Sequence, residues 1–316
     1  MRVEYLGVGG MLVSYRGHSL LTAPMFSNPT LGAVLRRRVL PWGSGPVRPD
    51  TALIDSLLPR AADSASMILV GHGHYDHLLD VPYIARRHAT SAAIYGGPTV
   101  RHILMGDSTL RAEAARVVAI DSTDVATLDH RGRWFYSADS AFRVMALLAD
   151  HAPTVKMGGL QYLFAGGQLT QDLATWPTYA DEWRLGEPLA FLVDVLRPRT
   201  HDVRLRLYYQ DAPNTPPLGF PPRAEVDARP VDVAILCAAT AENVPNAPDS
   251  LLRLLRPPFV LVGHWESFFR SRRMSTEVNS ETNTGAFEAS LARVLPASSS
   301  WVMPAPGTTL EVDGRR

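Results

Sequence analysis

Apolar positions along the chain come in short runs, most of them ended by glycine, proline or a polar turn. Residues 3–8, 11–15 and 19–23 open the sequence, punctuated by Gly7, Gly9, Gly10 and Gly17, and are predicted to be strands joined by tight hairpins. A loop rich in proline, glycine and arginine follows, from about Pro24 to Asp50. Residues 67–70 form an apolar strand that runs into a polar string, and a helix is predicted over about 78–88. Strand and helix signals then alternate: a strand at 92–95, a helix near 98–105, and strands at 116–120 and 142–148. From 152 to 188 the periodicity dissolves into glycine pairs and the aromatics Tyr162, Phe164, Trp176, Tyr179 and Trp183, a pattern that predicts an insertion or lid rather than scaffold. Strands resume at 189–195 and 203–209. After a proline-rich loop over 212–222 come a strand at 231–237, a helix around 249–255, a strand at 259–262 and a helix around 284–294. A last strand pair is predicted near 301–303 and 308–312. No repeat of fixed period and no low-complexity tract interrupts this order, which predicts two sheets with helices outside them, in one domain spanning 1–316.

Composition narrows the function classes. The 316 residues would allow two domains, and a hydrophobic fraction of 46% with 20% charged residues is enough to bury a sizeable core. The 31 basic and 31 acidic side chains cancel, which argues against a nucleic-acid partner, because non-specific affinity for polyanions rests on surplus Lys and Arg. Cys237 is the only cysteine and ends an apolar run. It excludes an intrachain disulfide and a cysteine-based zinc knuckle, and is expected to be a buried structural thiol. No apolar stretch reaches the length of a membrane span and the first residues lack a signal-peptide pattern, so the expected location is the cytoplasm.

The informative string is His72-x-His74-x-Asp76-His77, placed between a strand end and a helix start. Three imidazoles and a carboxylate this close together cannot all be buried without partners. A metal satisfies them at once. On an extended loop His72 and His74 project to the same side and can share one ion, which leaves Asp76 and His77 for a second.

This string after a buried strand resembles the signature of the metallo-β-lactamase superfamily. The resemblance extends over about residues 3–312, because the other positions of that family's site follow in order. Asp150-His151-Ala152-Pro153 is similar to the motif that carries the third histidine, Gln210-Asp211-Ala212 stands where a Gly-Asp-Thr-like turn supplies a bridging aspartate, and Gly263-His264 matches the final histidine. The resemblance implies an α/β, four-layer αββα sandwich with the site at one edge between the sheets. It also implies that His72, His74 and His151 hold one metal, that Asp76, His77 and His264 hold another, and that Asp211 lies between them. Rivals are His130 for the third histidine and Asp194 or Asp202 for the bridge; placement at strand ends favours His151 and Asp211. His18, His88, His102 and His201 read as surface or satisfied histidines. The donor set suits zinc, with manganese and iron used by relatives.

His74-Tyr75-Asp76-His77-Leu78 followed by Asp80 resembles the N-acyl-phosphatidylethanolamine phospholipase D-like and ascorbate-phosphate lactonase-like branches, with Leu79 as an extra residue before the last aspartate. Two departures stand out. Relatives often carry an aspartate before the proline that ends the third strand, where this chain reads Leu21-Thr22-Ala23-Pro24, and the Gly-Asp-Thr turn has become Gln-Asp-Ala. The resemblance implies hydrolysis of an ester, lactone or phosphodiester, lipid-like substrates included, by a hydroxide held between two divalent cations roughly 3.5–4 Å apart. Asp76 would orient that hydroxide and take its proton, and Glu266 is a candidate leaving-group acid. Aromatics at 134–136 and 152–188 either line an apolar pocket or pack the insertion, and the Arg36-Arg37-Arg38 run either meets a phosphate or is a solvated charge run. Two other readings stand beside hydrolysis: a superfamily oxidoreductase of the mononuclear-iron persulfide dioxygenase type, and a catalytically silent metal-binding protein.

Overall fold

The structure is a computed structural model that describes residues 1–34, 45–152, 156–157, 160–161, 166–280 and 282–314. The Arg36-Arg37-Arg38 run, Tyr162 and Phe164 lie outside the described residues, as do several stretches of the expected insertion.

Sixteen strands are described. The first sheet draws on β1 (Arg2–Gly7), β2 (Gly10–Tyr15), β3 (His18–Thr22), β4 (Ala65–Leu69), β5 (Ala93–Gly96) and β6 (Val117–Ala119). The second draws on β7 (Trp134–Tyr136), β8 (Phe142–Leu148), β11 (Leu189–Leu196), β12 (Val203–Tyr209), β13 (Val233–Cys237), β14 (Phe259–Gly263) and β15 (Ser300–Val302). Between β8 and β11 in sequence, β9 (Lys156–Met157) and β10 (Leu160–Gln161) form a separate ribbon, and β16 (Thr309–Glu311) is the last strand. The strand orders are β16-β1-β2-β3-β4-β5-β6 and β15-β14-β13-β12-β11-β8-β7. Helices α1 (Thr51–Leu57), α2 (Tyr75–Leu78), α3 (Val81–Arg87), α4 (Pro98–Leu104) and α5 (Ser108–Ala112) precede β6, while α6 (Arg223–Ala228), α7 (Asp249–Leu255) and α8 (Thr284–Val294) punctuate the second half.

The layers follow from the two-residue period of strand side chains. Val3, Tyr5, Met11, Val13 and Leu20 of the first sheet share one buried cluster with Val144, Phe191, Val193, Leu205 and Leu207 of the second, so these faces meet. The opposite face of the first sheet, including Leu12, Leu21 and Ile68, packs on Ile54, Ile84, Val100 and Ile103 from helices. The outer face of the second sheet, including Leu147, Leu192 and Leu236, packs on Leu252, Phe287 and Leu291. Helix, sheet, sheet, helix is the αββα sandwich expected from the sequence. Each such Leu, Val or Phe contributes roughly 1.5–3 kcal/mol by leaving water.

Strand directions place the site. β8 and β12 are both antiparallel to β11 and so run the same way, and β12, β13 and β14 are mutually parallel. The segments after β8, β12 and β14 therefore leave the second sheet at one edge, and Leu189 N donates to Gly71 O at 2.8 Å to bring the loop after β4 against them. Within β11, Asp194 is fully buried and is held by Arg206 at 2.6 Å and Arg143 at 2.8 Å. Its charge is compensated by the sheet itself, which removes it as a bridging ligand.

Three expectations need correction. The helix predicted over 78–88 starts later, as α3, and is preceded by the single turn α2, because Asp80 turns inward to accept from Phe26 N and Ser27 N at 2.7 and 3.0 Å and Pro82 starts a new helix. The closing strands do not pair with each other: β15 extends the second sheet beside β14 and β16 extends the first beside β1. Trp134–Tyr136 is an edge strand, where Phe135 enters the core between the sheets, Trp134 lies under the Arg143 guanidinium at 4.3 Å and Tyr136 faces solvent. Among the described residues no helix is long and apolar enough to cross a membrane.

Candidate metal centre

The loop after β4 is extended through His74 and then turns into α2, so His72 and His74 leave the chain on one side while Asp76 and His77 stand on the first helical turn. Gly71 is needed here because a Cβ would collide with the Asp211 carboxylate, which accepts from Gly71 N at 3.1 Å. Gly73 N donates to Leu185 O at 2.9 Å, fixing the loop between the two histidines.

All seven residues singled out in the sequence come together. His72 and His74 ring centres are 4.7 Å apart, and the His151 ring lies 4.8 Å from the first and 5.1 Å from the second. Across from this trio, Asp76 Oδ2 faces His77 Nε2 at 3.3 Å and His264 Nε2 at 3.5 Å. Asp211 lies between the trios, with Oδ1 3.1 Å from His72 Nδ1 and Oδ2 3.4 Å from His77 Nδ1. Donor atoms of His72, His74 and His151, and of His72, Asp76 and His77, fall within 4.8 Å of one another. The rivals are elsewhere: His130, His201 and Asp202 are exposed. His18, His88 and His102 pair with Asp139, Asp55 and Asp172 at 2.7–2.8 Å, as surface histidines.

The electrostatics differ across the centre. Burial, followed by repulsion from His72 and His151, holds His74 well below the usual histidine range, and burial with His72 nearby pushes His151 down to about 3. Burial also lowers His72, with the His77 charge adding to it. For Asp76 burial favours the neutral acid, but His77 and His264 outweigh it and hold the carboxyl well below its ordinary value. Asp211 is likewise drawn down to about 2 against burial by His77 and His72, and His77 is raised against burial by Asp76 and Asp211. The lowered His72, His74 and His151 and the ionised Asp76 and Asp211 lean toward the protonation states a metal requires, whereas the raised His77 leans away from them.

The residues present fit divalent cations. His72 Nε2, Asp76 Oδ1 and His264 Nδ1 are buried yet meet no hydrogen-bond partner among the described residues. Such orphaned donors and acceptors cost free energy unless something else engages them. His151 Nδ1 lies 2.8 Å from Ala152 O, a contact that places the proton on Nδ1 and leaves Nε2 as the free lone pair.

Several supporting residues carry no signal in the sequence. In place of the missing aspartate before Pro24, Thr22 Oγ1 donates to Gly9 O at 2.6 Å and the Tyr209 hydroxyl donates to the same carbonyl at 2.7 Å. Gly9 then lies so close that a Cβ there would stand 2.7 Å from His77 Nδ1. The altered turn is also put to use: Gln210 Oε1 accepts from Tyr208 at 2.8 Å and Asn214 at 3.1 Å, and Asn214 Oδ1 accepts from Asp150 N at 2.9 Å. Gln210 thereby joins the Asp211 turn to the loop that carries His151. Asp80 ties α3 to the 24–27 segment, its carboxyl pushed up to about 6 by burial. Glu266 does not reach the centre as an acid: it is buried and accepts from Tyr5 and from Val8 N. Trp183 is fully buried and meets Trp176 edge-on at 4.8 Å, so these two aromatics of the expected lid pack against the helices of the first sheet, with Trp176 also on the wall of a surface cleft beside Pro82 and Tyr83.

Solved structures share this shape. A possible metal-dependent hydrolase from Veillonella parvula is 11% identical, with 99% of both chains covered and a TM-score of 0.51. The fold is the metallo-β-lactamase sandwich. CmlA, a diiron β-hydroxylase from Streptomyces venezuelae, is 13% identical over 98% of this chain and 54% of its own, with a TM-score of 0.54, so the chain spans about half its length. The metallo-β-lactamase fold protein YhfI from Bacillus subtilis is 11% identical, with 98% of both chains covered and a TM-score of 0.47. No protein-family model and no curated protein matches the sequence, and at these identities the likeness speaks for the fold alone.

Proposed function

We propose that the chain is a dinuclear metal-dependent hydrolase of a single domain. In this reading His72, His74 and His151 hold one ion, Asp76, His77 and His264 hold the other, and Asp211 bridges them. The observation that carries it is the position of Asp211, whose two carboxylate oxygens face one imidazole from each trio at 3.1 and 3.4 Å. Divalent ions there, zinc first by the nitrogen-rich donor set and manganese or iron as alternatives, would supply Lewis acidity and a water of lowered pKa.

The chain's own part is orientation and proton handling. Asp76 turns Oδ2 toward His77 and His264 and leaves Oδ1 as the acceptor that orients a water. Its depressed pKa makes it a relay for the proton rather than its resting place. No cysteine competes as nucleophile, since the Cys237 thiol is buried and raised well above its ordinary range by burial and then by Asp211. The substrate class proposed is a small or lipid-like ester, lactone or phosphodiester, met in the cytoplasm, with neither membrane span nor nucleic acid involved; placement beside the phospholipase D-like or lactonase-like branches rests on the 74–80 string alone.

The test is elemental analysis of the purified protein together with a hydrolysis panel of lactones, esters and phosphodiesters, lipids included. Close to two ions per chain and turnover of one class are expected; no transition metal after zinc or manganese supplementation contradicts the reading. The likeness to CmlA keeps one second reading, oxidation at iron. It predicts that only the iron-loaded protein is active and that activity requires dioxygen.

A further inference from the structure

His264 is held in an unfavourable backbone conformation. Its φ is +54°, in the left-handed region that residues with a side chain seldom occupy. Val8, in the turn between β1 and β2, has φ +53°, which is rarer still for a β-branched residue. The two lie far apart in sequence, yet their backbone N–H groups are captured by one pair of side chains. Val8 N donates to Glu266 Oε1 at 2.7 Å, His264 N donates to the Tyr5 hydroxyl at 2.8 Å, and that hydroxyl donates to Glu266 Oε2. Both side chains are buried, and Arg272 closes the cluster by donating to Leu6 O. The residue after Val8 is Gly9, which abuts His77 and the Asp211 side chain.

We infer that Tyr5 and Glu266 are positioning residues for the second ion's ligands, fixing His264 on one side and the Gly9 turn against His77 on the other. The inference rests on the dinuclear reading above and adds a division within it. The first trio is tied down by other groups, with His151 bonded to Ala152 O and its loop to Asn214. Loss of the phenol hydroxyl should therefore weaken one ion and spare the other. A buried pair of merely structural value would lower stability without choosing between them.

The experiment is zinc titration against a chromophoric chelator with the full chain, comparing wild type, Tyr5→Phe, Glu266→Gln and His264→Ala. Tyr5→Phe keeps the ring and its packing. It is expected to weaken the same ion that His264→Ala abolishes, by roughly 10- to 100-fold, and to leave the other within about twofold. Glu266→Gln, which keeps an acceptor for Val8 N, is expected to cause a smaller loss at the same ion and covers the case in which Tyr5→Phe does not fold. Amide exchange gives a readout free of metal: the His264 N–H should exchange faster in Tyr5→Phe while Gly73 N–H is unchanged. Equal weakening of both ions, or no change in either alongside unchanged His264 exchange, overturns the inference and leaves the dinuclear reading intact. A wild-type protein that binds fewer than two zinc ions overturns both.

Discussion

The two halves of the centre are built on opposite electrostatic principles. His72, His74 and His151 are three imidazoles that repel one another's protons, and burial pushes all of them toward the neutral form. Asp76, His77 and His264 include a carboxylate, and there the charges attract: Asp76 is held ionised while His77 is raised by Asp76 and Asp211. The first trio is ready to donate lone pairs as it stands. In the second, Asp76 and Asp211 raise His77, so a cation bound there would compete with its proton. One half is thus preorganised by protonation state and the other by backbone restraint, with Asp211 touching both.

The sharpest break of this symmetry is Asp211→Ala. It removes the carboxylate that faces one imidazole of each trio and should lower affinity for both ions by at least about 100-fold, read by equilibrium dialysis with elemental analysis. Unchanged affinity at either ion would mean that Asp211 belongs to one half alone. Next in size, His264→Ala and His151→Ala should each reduce the bound metal from two ions toward one, and the surviving ions should differ. Spectra of the cobalt-substituted variants distinguish them, and identical residual spectra would contradict two separate trios. A smaller effect is expected from Asn214→Ala, which unties the Asp150–His151 loop from Gln210. Affinity at the first ion should fall about 10-fold with the second unchanged.

The smallest effect expected is on the pH dependence of the metal-free protein, where the halves have opposite signs. His151, with a pKa of about 3 in the fold, favours the unfolded chain as pH falls below about 6.5, so stability drops on the acid side. His77, raised in the fold, contributes stability that is complete below its unfolded value of about 6.5 and is lost as pH rises through its folded value. Melting temperature should therefore peak near the ordinary histidine pKa; His151→Asn should flatten the acid limb and His77→Asn the alkaline one. A profile unaffected by either substitution would refute the opposed-sign account.

The contrast between the halves also marks what the sequence makes legible. The 72–77 string can be read directly, because four ionisable groups so close together have few physical uses, and His264 can be read because it follows an apolar strand. Elements with strong periodicity are placed well: Phe142–Leu148, Val203–Tyr209, Asp249–Leu255 and Thr284–Val294 match their expected bounds. Short elements escape notice. Thr51–Leu57 directly follows the loop rich in proline, glycine and arginine and gives no clear signal, although Asp50 caps it by accepting from Leu53 N at 3.0 Å. The supporting residues are illegible for another reason. Tyr5, Thr22 and Tyr209 are ordinary strand residues by sequence and acquire roles only from partners across the sandwich; Tyr5 and Glu266 are 261 positions apart. Glu266, two residues after His264, invites reading as an acid until its carboxylate is found bound to Tyr5 and Val8.

The most direct test of a bridged, two-part centre is anomalous diffraction from crystals of the protein grown with zinc. The account predicts two anomalous peaks per chain, one about 2.0–2.1 Å from nitrogens of His72, His74 and His151 and one at similar distances from Asp76, His77 and His264, with Asp211 reaching both. A single peak, or two peaks with Asp211 bound to only one, would contradict it.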